Sequence, residues 1–479
     1  MFALWLMACI LGPRPDACVD SAECRAAFGF GNVCSADGYC EQVTPNPRCE
    51  DTFPEDLFRN PENYADALVI GTVFNMNPSG DGGAPADEKQ RRSAELAIRN
   101  TRDAERTNGD YGQEVAIVHC DNGDNIAYDN LQAVDAAGEA ARFLAEDLGI
   151  PAIIGPSTSD EAFAVFGAAS AHDAIVISPS ATSPTLTELG GLPTEDEPGL
   201  FWRTVPPDDL QAFAISRDLL DRGVTSIVIL HQESSYATAL ADAVEVNYAG
   251  GGRTVTKLSY ADLTSLSNQA NDVFDAAADE VLFFSSETLD VVTFLDLAGI
   301  IPEAADRPIF LADAAADSVL FDVGPAGAAL FPNVRGSRPA VPEGPIFDDF
   351  ASSYFSVYND QPNDSVFTSY TFDAAWLALY GAVHARQEGA VTGTSIGQGI
   401  LRLQSGPSLE VGYTSLGDVR DALEAGETVD IVGASGPLDY DAVTGEVSNA
   451  IEIWVVDVAT ESFVPVKICV PGDECTAIE

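Results

Sequence analysis

Two short stretches carry the side chains best suited to holding a small ligand. One is Pro156-Ser157-Thr158-Ser159, running into Asp160-Glu161; the other is Pro179-Ser180-Ala181-Thr182, running into Ser183-Pro184. Each follows an apolar run and opens onto a helical pattern. At a helix start the first backbone N–H groups lack partners, and hydroxyls beside them add donors, so such loops can hold a carboxylate. The same residues also suit plain capping: Thr158 to Glu161 has capping-box spacing, and Ser183-Pro184 reads as an N-cap with proline at N1. Residues 176–187 contain no charge at all, in a chain with 75 acidic and 23 basic residues. A neutral, hydroxyl-rich wall suits an anion that carboxylates would repel.

Nothing comparable supports catalysis. His119, His172, His231 and His384 are scattered and show no metal-ligand spacing. There is no G-x-S-x-G, no Walker loop and no dinucleotide fingerprint, and Gly433-Ala434-Ser435-Gly436 reads as a turn because no helix follows. The expectation is a binding protein, not an enzyme, with no cofactor and no metal.

The cysteines point to the compartment. Cys18-x5-Cys24-x9-Cys34-x5-Cys40, threaded with Gly and Asp and followed by Cys49, reads as a small disulfide framework outside the cytoplasm. Zinc is the weaker reading, since x5 spacings are poor for a knuckle and no His is near. Cys120 stands alone, and Cys469 and Cys475 close the chain. Leu6-Met7-Ala8-Cys9 resembles a bacterial lipobox. Lipidation of Cys9 would leave eight cysteines, an even number, although residues 1–8 are too short for a secretory signal and lack its basic start. Either that signal is truncated or Cys9 is an ordinary residue. No other stretch reaches membrane-spanning length, so contact with a membrane is expected only through a lipid anchor.

A formal net charge of −52 repels nucleic acid phosphates and anionic lipid heads, which excludes both as partners. The acidity fits a solvated surface in salty surroundings, or a bias of lineage; composition leaves both open.

Around these loops, apolar runs at 67–74, 114–120, 151–155 and 174–178 alternate with helical patterns at 87–100, 131–148 and 160–171. A second series has strands at 226–232, 253–260, 280–286 and 307–313, with helices near 210–221, 236–249, 264–278 and 288–298. Continuous β-branched strands alternating with amphipathic helices predict parallel sheets covered on both faces. The fold class is α/β, two doubly wound lobes behind a disulfide-rich head, with a ligand between the carboxyl ends of the two sheets. Residues 436–457 read as two strands around an Asp/Thr/Gly turn.

The run GPSTSDEAFAVFGAASAHDAIVISPSATSPTLTELGG followed by FWRTVPPDDLQA resembles the type I periplasmic binding proteins. The branched-chain amino-acid receptors of ABC importers are the nearest in pattern, with a Gly-x-x-x-Ser loop, Ser-Pro-x-Ala-Thr-x-Pro, Arg-Thr and Asp-x-x-Gln in order. The resemblance covers about 66 to 460 and implies three crossovers between lobes. It implies lobe 1 at 66–206 and 335–430 and lobe 2 at 207–334 and 431–468, after a truncated signal at 1–9, a cysteine-rich module at 10–49 and a linker at 50–65. Residues 469–479 form a tail.

The resemblance further implies a bound amino acid or similar small polar solute, presented to an ABC transporter permease. The alternative is a surface sensor or interaction lipoprotein on the same fold. Carried over, Ser159 gives its hydroxyl to the α-carboxylate, Ser180 its backbone and Thr182 its hydroxyl and N–H, with Ala181 inside the Ala-Thr loop. Asp313 ends the strand where the receptors carry a glutamate for the α-ammonium, and Tyr236 matches a tyrosine facing the cleft. The pattern departs in three places. Thr158 stands where those receptors can carry a cysteine, leaving Cys120 to pair elsewhere (Cys49 is one choice) or stay free. Ser285-Ser286-Glu287 lacks their aromatic residues, and the loop after Phe74 is acidic.

Overall fold

The computed structural model describes residues 17–76, 85–123, 129–362, 365–441, 443–470 and 475–478. Cys9 and the acidic loop after Met76 lie outside them. The head holds helix α1 (Ser21–Phe28) and the hairpin β1 (Asn32–Cys34) and β2 (Cys40–Gln42). Too small to build its own core, it is tied by Cys18–Cys34 and Cys24–Cys40. A third bridge answers the open question about Cys120, which pairs with Cys49. Cys469 pairs with Cys475.

The first sheet contains β3 (Asp51–Phe53), β4 (Leu68–Phe74), β5 (Val115–Asp121), β6 (Ala152–Ile154), β7 (Ile175–Ser178) and β8 (Phe201–Arg203), in the order β3-β5-β4-β6-β7-β8. All neighbours are parallel except the edge pair β3–β5. Alternate residues face opposite cores. Leu68, Ile70 and Ile117 pack under α2 (Pro85–Asn108), while Val69, Val118, Ile153 and Val176 pack under α3 (Ala133–Arg142) and α4 (Ser159–Ala169).

The second sheet follows helix α5 (Asp208–Asp221) and runs through β9 (Ser226–Gln232), α6 (Ser235–Tyr248), β10 (Thr254–Tyr260), α7 (Leu263–Asp275), β11 (Glu280–Phe284), α8 (Thr288–Ala298), β12 (Ile309–Leu311), α9 (Pro325–Ala328) and β13 (Val334–Pro339). The chain then returns through α10 (Pro345–Tyr358), α11 (Thr368–Glu388) and α12 (Gly393–Ile400). A small sheet follows, made of β14 (Ser408–Glu410), β15 (Asp430–Gly433) and β16 (Gly436–Pro437), with α13 (Leu416–Glu424) between its first two strands. The chain ends in β17 (Ile451–Asp457), β18 (Ser462–Cys469) and β19 (Thr476–Ala477). The second sheet's order is β10-β9-β11-β12-β13-β17-β18-β19. Val228, Leu230 and Phe283 serve one of its cores, Ile227, Ile229 and Leu282 the other.

Apolar side chains decide where the crossovers fall. The first lies between Arg203 and Asp208. β13 pairs within the second sheet, and Phe350 and Tyr354 of α10 join the first core, so the second crossover follows Pro339. Leu438, Tyr440 and Val447 belong to the first core while Ile451, Ile453 and Trp454 belong to the second lobe. The third therefore lies near 448–450. These points differ from the expected divisions at 334/335 and 430/431.

The same partition corrects the expected hairpin over 436–457. The turn forms, with the Asp441 carboxylate accepting from the Val443 and Thr444 N–H groups at 2.8 Å each. Its arms then separate, β16 pairing with β15 and β17 with β13. The true hairpin is β17–β18; the proline and scattered polar residues of β18 hide it from pattern reading.

Candidate functional site

The loops after β6 and β7 lie side by side because their strands are neighbours. Gly155 makes the first turn possible, with φ +102° and an added Cβ only 2.5 Å from the Val73 carbonyl oxygen. Thr158 caps α4 through a complete capping box with Glu161, so the capping expectation for this loop holds. The neighbouring residues stitch the loops together. Ser183 N–H donates to Ser159 Oγ at 3.2 Å, and Ser180 Oγ donates to the Ser157 carbonyl at 3.0 Å and to Gln90 Oε1 at 3.1 Å. Ala181 N–H donates to Ser178 Oγ at 3.0 Å. Beneath them Arg203, 1% exposed, donates to the carbonyls of Ala181 and Ser183 at 3.2 and 2.9 Å. It also pairs with Glu446, its Nε reaching that carboxylate at 3.0 Å.

The second lobe faces this wall. Tyr236, in the first turn of α6, donates its hydroxyl to Asp313 just beyond β12. Ser234 caps α6 and accepts from Ala237 N–H at 3.2 Å. The lobes touch here: Ser183 Oγ donates to the Ser235 carbonyl at 3.1 Å, and Ser235 N–H donates to the Asp160 carboxylate at 3.2 Å. Ser159, Ser180, Ala181, Thr182, Tyr236 and Asp313 are thus brought to one closed cleft, and all are buried.

Sequence reading missed a carboxylate in the same place. Asp208 begins α5, fully buried, and its N–H donates to the Thr182 carbonyl at 3.0 Å. The Thr182 hydroxyl faces it, yet neither carboxylate oxygen has a hydrogen bond of normal geometry. Burial and then the neighbouring Asp313 push Asp208 well above the ordinary carboxylate range. Burial raises Asp313 too, against the Tyr236 hydroxyl that steadies its charge. Burial, with Asp313 and Asp208 adding to it, likewise holds Tyr236 well above the usual phenol. The signal for Asp208 was present in the Asp-x-x-Gln pattern, but spacing alone does not show which strand ends it meets.

Two more acids were missed on the first lobe. Asp87, near the start of α2, accepts from Ser157 Oγ at 2.5 Å and from Asn75 N–H at 2.9 Å. Burial pushes it up to about 6. Glu161 is pushed up to about 8 by burial and then by Asp87, with Asn122 donating to it at 2.6 Å. The strand-end loops of the first lobe bring the hydroxyls of Ser159 and Thr182 to the cleft, the second lobe brings Asp208 and Asp313, and Asp87 and Glu161 add carboxylates on the first lobe. That arrangement can clamp a molecule bearing a carboxylate at one end and an ammonium at the other.

Comparison with known proteins agrees with this architecture. A model of the receptor family ligand binding region matches residues 107–457. The chemotactic signal transduction system substrate-binding protein BasB of Halobacterium salinarum is 23% identical over 399 residues, 82% of this chain and 88% of BasB. Among solved structures, the leucine-binding protein LivK of Thermotoga maritima superposes with a TM-score of 0.65 at 16% identity, covering 85% of this chain and 100% of LivK. A solute-binding protein of an R. palustris ABC transporter, solved with benzoate, gives 0.59 at 16% identity, covering 86% of this chain and 98% of its own.

Proposed function

The chain belongs to the receptor family ligand binding region, the two-lobed type I periplasmic binding proteins, and from that premise we propose that it captures an amino acid or a close relative outside the cytoplasm. The observation carrying this reading is the polarity of the closed cleft. Ser159, Ser180, Ala181 and Thr182 form the carboxylate end, and Asp313, Tyr236 and Asp208 form the ammonium end. Ligand contacts with both lobes favour the closed state, since only differential binding shifts such an equilibrium. The closed form would then dock on an ABC transporter permease.

A thermal-shift panel of amino acids, amides and aromatic acids in matched high salt tests this. A ligand at 100 times its Kd stabilises by about 2.7 kcal/mol, so one or a few amino acids should raise the melting temperature by several degrees. Asp313→Ala and Thr182→Ala should each weaken the response at least tenfold. Stabilisation by no amino acid or amide overturns the reading. A second reading, presentation to a signal transducer, is favoured by the likeness to BasB, a substrate-binding protein of a chemotactic signal transduction system; it keeps the same cleft and changes only the docking partner.

A further inference from the structure

We infer that the ligand carries a second positive charge on its side chain, so that the cleft takes a basic amino acid; this rests on the reading above, in which carboxylate and ammonium ends are clamped between the lobes. The basis is a set of buried oxygen acceptors whose carboxylates form no ion pair among the described residues. From the first lobe come Asp87, Asp121, Asn122 and Glu161, each buried. From the second come Asp208 and Asp313. Asp317 lies close enough to Asp87, and Glu287 close enough to Glu161, for like-charge repulsion across the lobe interface.

Several buried acids elsewhere in this chain are paired with a base. Glu446 has Arg203, Glu280 has Arg222, Asp218 has Arg222 and Arg335, and Glu452 has Arg338. Asp373, without a base, is held by the N–H groups of Ala434 and Ser435 at 2.8 and 2.7 Å, as Asp87 is by Asn75 N–H and Glu161 by Thr158 N–H; what distinguishes the cleft is that several such acids gather in one place. Around the cleft, no ion pair among the described residues reaches Asp87, Asp121, Glu161, Asp208 or Asp313. Arg203 acts on Asp208 from a distance, with its guanidinium already taken by Glu446. The acidity of the surface does not account for these groups, because a buried carboxylate gains nothing from surface hydration and is costly unless paired.

Four atoms in this region are buried without a hydrogen-bond partner: both carboxylate oxygens of Asp208, the amide oxygen of Asn122 and the hydroxyl of Ser235, and Asn122 adjoins Glu161. One α-ammonium satisfies the Asp208–Asp313 pair and leaves the Asp87–Glu161 side with hydrogen-bond donors but no counter-charge among the described residues. An aliphatic side chain placed there would desolvate carboxylates without replacing their water. An ammonium or guanidinium supplies three or five donors and the missing charge. A single metal ion is a poorer fit. Among the described residues, no three carboxylates bring oxygens within 4.8 Å of one another, whereas such an ion needs its ligands in one tight shell.

The test is isothermal titration of the full chain, at fixed high salt, with L-lysine, L-ornithine, L-arginine, L-leucine, L-isoleucine, cadaverine and calcium chloride. At least one basic amino acid should bind tenfold or more tightly than leucine or isoleucine. Glu161→Gln, and separately Asp317→Asn on the other lobe, should narrow that ratio at least tenfold; two variants on different lobes guard against one failing to fold. Tighter binding of leucine or isoleucine overturns the inference while leaving the amino-acid reading intact. Binding of no amino acid overturns both. Cadaverine matching lysine supports the cation subsite and overturns the carboxylate clamp. Calcium binding that excludes lysine makes the cluster a metal site and overturns the inference.

Discussion

Arg203 shows how one side chain fixes the geometry of a loop in the candidate site. Its planar fork holds two carbonyls of the Ala181–Ser183 turn and one buried carboxylate, Glu446, which arrives from far along the chain. Removing the arginine leaves Glu446 buried and uncompensated, a loss of about 3–5 kcal/mol for such pairs. Arg203→Ala should therefore lower urea-unfolding stability by roughly that amount, and Arg203→Lys by less, since it keeps the charge but lacks the fork. A double replacement, Arg203→Met with Glu446→Met, should recover part of the loss, because well-packed apolar pairs can match buried ion pairs. If Arg203→Ala proves as stable as the parent, the pair is not what holds the turn.

At the level of elements, the head is bound to the first lobe by a disulfide, by polar ties that include Arg25 to the Ala65 carbonyl at 3.1 Å, and by Phe30 in the first-lobe core. Cys49 bridges to Cys120 near the end of β5, and buried Arg48 donates to the carbonyls of Asp121 and Gly123 at 3.0 Å each and pairs with Asp129 at 2.7 Å. The residues at the end of β5 thus depend on the head. The Cys49–Cys120 bridge spans a separation of 71 residues and Cys469–Cys475 only 6. Chain entropy assigns about 4 kcal/mol to the first and about 2 to the second. Replacing Cys49 and Cys120 with Ser should lower the melting temperature more than replacing the terminal pair; the reverse order would remove the head as a brace. The cysteine framework was legible as a framework, but not as pairings, since pairing is set by the fold. Strands β4 to β7, β9, β11 and β12 were legible as apolar, mostly buried runs, whereas β3, β8, β13 and β19 are too short or too polar to stand out. β18 was not legible, and neither were the second and third crossovers, because they depend on which of two cores each apolar residue joins. In the site, Ser159, Ser180 and Thr182 stood out through local helix-start chemistry. Asp208 and Asp87 did not, since among 75 acids only burial without a base distinguishes them.

On the proposed reading the lobes open and close around the ligand, and the charges of the whole molecule bias that equilibrium. In the closed form Glu287 faces Glu161 and Asp317 faces Asp87, which adds to the burial that holds Glu161 near 8 and Asp87 near 6. Opening removes the second lobe's contribution, so the closed form binds protons more tightly than the open one. A carboxylate raised in one state favours that state fully below its ordinary pKa and progressively less as pH rises through the raised value. Acidification of the unliganded protein from about pH 8.5 to about 5.5 should therefore shift it toward closure, through a window set by Asp87 and Glu161. Small-angle scattering at fixed salt reads this as a falling radius of gyration. Lowering the salt at pH 8.5 should expand the molecule, because the screening length grows from about 3 Å at 1 M to about 10 Å at 0.1 M. The double variant Asp87→Asn, Glu161→Gln removes two of the four facing charges and should show a compact form with little dependence on pH. A parent protein whose dimensions do not change across this range, or a variant that responds as strongly as the parent, would mean that these carboxylates do not oppose closure.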